Sequence, residues 1–145
     1  MPSGTPTGSS PSTGSFGLPR AARLRQAKDF RRVYARGLRL RARHLVLVAC
    51  RRQEPGHRLG VSVSKDHGRA VRRNKIKRIL REAFRLSRPR LPGQYDMILI
   101  PQQQVRRFPL LDVQKELRHL VQQLEAGRGR PRSGRRPRSR PEKKR

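Results

Sequence analysis

Residues 69–85, RAVRRNKIKRILREAFR, decide how this chain is read. Wound at about 100° per residue, the stretch separates into two faces. Ile76, Ile79, Leu80, Ala83 and Phe84 fall on one side at i, i+3, i+4, i+7 and i+8, the spacing of a core-facing stripe. Asn74, Lys77, Arg78, Arg81 and Arg85 fall on the other, and only Glu82 interrupts the positive charge. Like charges at i, i+4 cost an isolated helix a few tenths of a kcal/mol per pair. A plain solvated face usually mixes its signs, and this one does not. The pattern therefore predicts a helix with one face for a core and one for a polyanion.

On either side of this helix the sequence reads as strands. HLVLVAC, residues 44–50, is an apolar run of strand length with β-branched residues. RRQEPGH, residues 51–57, contains Pro-Gly and reads as a turn. RLGVSVS, residues 58–64, alternates Leu59, Val61 and Val63 against Gly60, Ser62 and Ser64. The two runs predict a β-hairpin. After the helix, SRPRLPG at 87–93 stops it with two prolines, and DMILIP at 96–101 reads as a buried strand. The centre of the chain is thus strand, basic helix, strand.

Further out, Phe30, Val33 and Tyr34 sit at i, i+3 and i+4, and Gly37 can end a helix spanning about 28–36. Phe30 and Tyr34 have two readings at this point. They are either plain core residues or, on so basic a protein, a stacking platform for unpaired bases. Pro109 can open a last helix with Val113, Leu117, Leu120, Val121 and Leu124 on its apolar stripe and Gly127 just past its end.

The 145 residues carry a formal net charge of +29, which bears on partners rather than on fold. Residues 1–19 are uncharged and rich in Ser, Gly, Pro and Thr, and residues 127–145 form a low-complexity basic stretch. Both are expected to be disordered tails, because neither can bury enough apolar surface to offset the entropy of ordering. The C-terminal stretch holds ten basic residues against one acidic, or +9, which leaves +20 of the +29 in the domain expected over 20–126. No apolar run approaches the roughly 18 residues of a membrane span. The residues before Arg20 do not form a secretory signal. The single cysteine, Cys50, permits no internal disulfide and reads as a small core residue. A cytoplasmic location follows as the expectation.

Catalytic patterns are missing. No phosphate-binding glycine loop and no zinc spacing occurs. His44, His57, His67 and His119 are scattered and fit surface or strand-end positions. The acidic residues fall in different elements, whereas a two-metal nuclease needs clustered carboxylates. The chain reads as a nucleic-acid binder without a hydrolytic centre: no residue is a catalytic candidate, and none a metal ligand.

GVSVSKDHGRAVRRNKIKRILREAFR, residues 60–85, resembles the protein component of bacterial ribonuclease P. The resemblance is carried by Ser64-Lys65, Gly68, Ala70-Val71 and then Arg73, Asn74, Lys77, Arg78 and Arg81, the RNR motif of that family. It extends upstream through Asp29-Phe30, Val33-Tyr34 and Gly37, and downstream to DMILIP, covering roughly residues 20–125. Asp66 stands where the family usually has a second lysine, and Val48 where some members carry an aromatic residue.

The resemblance implies a mixed α/β (α+β) two-layer sandwich. In it a small mixed sheet contains a left-handed β-α-β crossover that carries the RNR helix, against the usual right-handed rule. It implies a ribonucleoprotein enzyme in which a catalytic RNA, using Mg²⁺, removes the 5′ leader of precursor tRNA, with one protein per RNA. Lys65, Arg73, Asn74, Lys77, Arg78 and Arg81 would face the catalytic RNA, and Phe30 and Tyr34 would line a cleft for the leader. The alternative is a ribosomal-type or general RNA-binding structural protein with no role in tRNA processing, which needs no such cleft.

Overall fold

YDMILIP, residues 95–101, is apolar at nearly every position, as suits a strand covered on both faces. In the computed structural model, which describes residues 18–131, it lies inside the sheet. The elements are α1 (Ala27–Arg36), β1 (Leu38–Arg41), β2 (Leu45–Arg51), β3 (Arg58–Val61), α2 (Ala70–Ser87), β4 (Tyr95–Pro101), α3 (Leu110–Glu125) and β5 (Arg130–Pro131). Single 3-10 turns stand at Arg20–Ala22, Lys65–His67 and Arg88–Arg90. The sheet runs β3-β4-β2-β1-β5. Only β3 and β4 are parallel, and α2 connects them.

The expected hairpin between residues 44–50 and 58–64 does not form. Both runs are strands, but β4 lies between them, antiparallel to β2 and parallel to β3. Two neighbouring strands are about 4.8 Å apart, so the turn spans two such spacings. The physical reason is burial. The seven-residue β4 can cover its apolar residues on both faces only between two partners, whereas β3 is short and contains Gly60. The strands β1 and β5 carry no sequence signal of their own. LRLR in β1 is short and half arginine, and β5 lies in the basic tail.

The two faces of the sheet bury different clusters. Leu45, Leu47, Ala49, Leu59, Met97 and Leu99 pack with Ile76, Leu80, Ala83 and Phe84 of α2 and with Val113, Leu117, Leu120, Val121 and Leu124 of α3. The stripes read from the sequence are buried, except that Ile79 is only partly covered. On the opposite face Val46, Val48 and Ile98 pack with Leu24 and Val33, and Phe30 and Tyr34 of α1 lie against them. The mixed α+β class with its strand–helix–strand unit is as expected, and α1 covers the back of the sheet.

The described residues, 18–131, begin before residue 20 and continue past residue 126. Leu18 is in the main core. At the other end Ala126 caps α3, Gly127 takes φ +83°, Gly127 N–H donates to Leu124 O and Arg128 N–H to Gln123 O. This pair of bonds is a Schellman ending, and the chain then pairs with β1 as β5. The remainder of both expected tails, residues 1–17 and 132–145, lies outside the described residues.

Candidate nucleic-acid interface

The N-terminal end of α2 concentrates positive charge. Its first turn holds no acidic residue, and Arg69 at the N-cap makes no side-chain capping bond. A helix N-terminus already carries about half a positive charge, and here the side chains add to it. Lys65 lies exposed on the turn that leads in. Ser64 Oγ supports that turn by accepting from Asp66 N–H at 3.3 Å. Arg73 Nε donates to Gly68 O at 3.1 Å, and Arg72 Nη2 to Arg106 O at 2.6 Å. Both guanidinium groups are thereby held by neutral carbonyls, and these bonds leave their charge uncompensated.

Further along α2, Asn74 and Arg78 are exposed and Lys77 is half-buried. Arg81 is also half-buried. Its burial, and the positive charge of Arg23 nearby, hold its pKa below the usual arginine value. Arg23 forms an isolated bridge with Leu59 and so lies at the β3 edge of the sheet. Arg85 differs from the other cations. It makes a two-bond ion pair with Glu82, at 2.9 and 2.7 Å, which holds the Glu82 carboxyl below its usual range. The single-sign surface therefore ends at Arg81, one turn short of the sequence expectation.

Phe30 and Tyr34 stand together on the other face of the sheet, both half-buried. Each is therefore part core and part surface, a combination of the two readings. Val48 is fully buried beneath α1, so the position carries packing rather than a ring for stacking. Asp66 accepts a bond from Gln103 Nε2 at 2.9 Å. The structure thus separates the expected residues into two groups, one on α2 and its leading turn, the other on α1 across the sheet.

Sequence reasoning missed what fixes α1 in place. The Asp96 side chain is 3% exposed and is surrounded by three arginines. Arg58 reaches it with Nε at 2.7 Å and Nη2 at 2.8 Å, Arg52 Nε lies at 3.3 Å, and Arg32 of α1 donates to Oδ2. Arg32 also bonds Asp29 at 3.2 Å. A carboxylate at the start of an apolar strand was the available signal. Three of the four histidines are likewise buried rather than superficial. His57 donates from Nε2 to Leu91 O and accepts Tyr95 N–H at Nδ1, both at 3.2 Å. Burial holds its pKa below the ordinary value. His44 bonds Glu116 through Nδ1, and His67 Nε2 lies 3.2 Å from Pro101 O.

A small mixed sheet with a cationic helix on one face and paired aromatics on the other defines a basic protein of mixed α+β class. The family model for ribonuclease P matches residues 18–125. A curated relative, the ribonuclease P protein component of Staphylococcus aureus strain JH9, is 38% identical over 105 residues, which are 72% of this chain and 89% of the relative. The solved S. aureus RNase P protein superposes with a TM-score of 0.63 at 36% identity, over 73% of this chain and 97% of that one. The RNase P protein from Thermotoga maritima gives a TM-score of 0.64 at 30% identity, over 70% of this chain and 96% of that one. The chain belongs to the ribonuclease P protein family. Membership brings participation in ribonuclease P and an RNA partner. Among the described residues no helix is long and apolar enough to cross a membrane.

Proposed function

We propose that this chain is the accessory subunit of a cytoplasmic ribonucleoprotein, one protein to one catalytic RNA, that cuts the 5′ leader from precursor tRNA. The observation that carries the reading is the run of cations from Lys65 to Arg81, with no acidic residue after Asp66 and with Arg72 and Arg73 held by backbone carbonyls. Lys65, Arg73, Asn74, Lys77, Arg78 and Arg81 bind the catalytic RNA. Arginine suits most of these positions because its planar fork grips phosphate through two bonds, and Asn74 adds an amide that can both donate and accept.

Phe30 and Tyr34 hold the leader. Their exposed faces are one helical turn apart, so successive unpaired bases can stack on them. The Asp96 hub acts indirectly by keeping α1, and with it both rings, against the sheet.

Bond cleavage belongs in this reading to the RNA, with Mg²⁺ as its cofactor. Among the described residues no group of three His, Cys, Asp or Glu side chains could hold a metal ion. Asp96 is bound by arginines, Glu116 by His44 and Glu125 by Tyr95 and Arg51. The protein contributes binding, orientation and charge compensation.

The test is reconstitution. Purified full-length protein is added to a bacterial ribonuclease P RNA at low Mg²⁺ with precursor tRNA. Mature 5′ ends should appear where RNA alone gives few. If the protein binds the RNA tightly and processing does not improve, the chain is an RNA-binding protein of another role.

A further inference from the structure

The basic sequence after α3 does not simply leave the fold. Gly127 reverses the chain at φ +83°, and Arg130 and Pro131 pair with Arg39 and Leu38 of β1. Between them stands Gly129, where any Cβ would overlap the Leu38 side chain. The Gly-Arg-Gly-Arg-Pro order is thus fitted to turn the chain and lay it against a sheet edge.

Register fixes the face to which this segment contributes. Arg39 is opposite Val48 and Arg41 opposite Val46. Both valines point to the α1 side. Cross-strand partners share a face, so Arg39, Arg41 and Arg130 belong to the side of Phe30 and Tyr34, not that of α2 and α3. The edge also borders a groove of about 890 Å³ that wraps around it, lined by Leu40 and by Gln123 of α3 as well as by Arg39, Arg41, Arg128 and Arg130.

We propose that residues 128–131 are an RNA-contact element, a strand that extends the leader-binding face and presents Arg130 to the phosphates of the single-stranded 5′ leader. This rests on the leader-cleft reading of Phe30 and Tyr34. The leader, rather than the catalytic RNA, is the occupant because the added arginine shares the face of those rings while the cationic helix is on the other. From β3, under Phe30, to β5 is four strand spacings, about 19 Å. At about 3.4 Å per stacked nucleotide, a leader needs roughly six nucleotides to reach Arg130.

The experiment uses full-length protein reconstituted with a bacterial ribonuclease P RNA. Substrate affinity is measured against salt for precursor tRNA with leaders of about two and about ten nucleotides. Gly129→Val dislodges the strand while keeping its charge, and Arg130→Glu reverses the charge while keeping the strand. Circular dichroism melts accompany both. Each variant should bind the ten-nucleotide leader severalfold more weakly. The log–log salt slope should fall by about 0.7 for each phosphate that the variant no longer neutralises. The two-nucleotide leader and assembly with the catalytic RNA should be unchanged. An unchanged long-leader affinity in Arg130→Glu overturns the proposal, and so does equal weakening of both leaders. Weakened assembly in either variant assigns the strand to the catalytic RNA and also overturns it. If wild-type protein itself shows no preference for the longer leader, the cleft reading fails first.

Discussion

The ring of Phe30 lies against the backbone of Gly60. A Cβ built on Gly60 would stand 2.6 Å from Phe30 Cζ and 2.7 Å from Cε1, closer than carbon atoms pack. The absence of a side chain at Gly60 is what lets α1 settle on the sheet with Phe30 half-covered. Gly60→Val should therefore lift the ring. We expect a loss of about 1–3 kcal/mol of stability, the usual cost of overpacking, measured by urea unfolding. Affinity for long-leader precursor tRNA should fall as well, while the catalytic RNA is still bound. Wild-type stability in this variant would show that the packing here is soft.

Phe30→Ala and Tyr34→Ala should act on substrate more than on assembly. Base–aromatic stacking is worth about 1–3 kcal/mol per base, roughly five- to 150-fold in affinity. The variants should lose much of their discrimination between long and short leaders and retain affinity for the catalytic RNA. Because both rings also touch the α1-side cluster, a melt must first establish that each variant is folded. Folded variants with the wild-type leader ratio would remove both residues from the cleft.

Asp96→Asn should be the most damaging single change in the polar structure. It leaves Arg52, Arg58 and Arg32, whose side chains are 12%, 23% and 38% exposed, facing one another without their shared carboxylate. Breaking a fully buried pair costs about 3–5 kcal/mol, and the solvent at Arg32 and Arg58 lowers that here. Thermal unfolding should show a large fall, and α1 should gain amide exchange before the rest of the domain. A melting point within a degree or two of wild type would contradict this role for Asp96.

Stability should decline as the solution is acidified through the histidine range. Burial lowers the folded-state pKa of His57, so folding favours the neutral ring. Below the ordinary value of 6.5 the unfolded chain binds the proton more readily than the folded one. The stabilisation is thus complete above that pH and declines progressively as pH falls, with a limit of about 1.4 kcal/mol per pH unit for one proton. Urea midpoints between about pH 7.5 and 5.5, which bracket the ordinary histidine value, should fall in wild type and fall less in His57→Gln. Identical slopes would place the pH dependence elsewhere.

The sequence made plain what has a period or a stripe. The apolar faces of α2 and α3 are buried apart from Ile79, which is only partly covered, since helical spacing alone selects Ile76, Leu80 and Phe84, and Leu117, Leu120 and Leu124. Partner choice in the sheet has no such signature. Nothing in residues 44–64 indicates that β4, which follows much later in the chain, inserts between the two runs. The RNR positions are legible as a face, but the Glu82–Arg85 pair that trims it depends on side-chain geometry that spacing does not reveal. Asp96 reads as one more strand residue because Arg32, Arg52 and Arg58 come from three separate segments. A two-residue strand such as β5 is too short for any periodicity. It becomes visible only once Gly129 is seen against Leu38.

In the proposed function α2 holds the catalytic RNA through its cations. The most direct test is the salt dependence of binding between the protein and a bacterial ribonuclease P RNA, compared for wild type and an Arg73→Ala/Lys77→Ala/Arg81→Ala variant that circular dichroism shows to be folded. Each neutralised phosphate adds about 0.7–0.9 to the magnitude of the log–log slope. The wild-type slope should be steep and be reduced by about two to three in the variant, with weaker binding throughout. A wild-type slope near zero, or a variant that matches wild type in both slope and affinity, would contradict it.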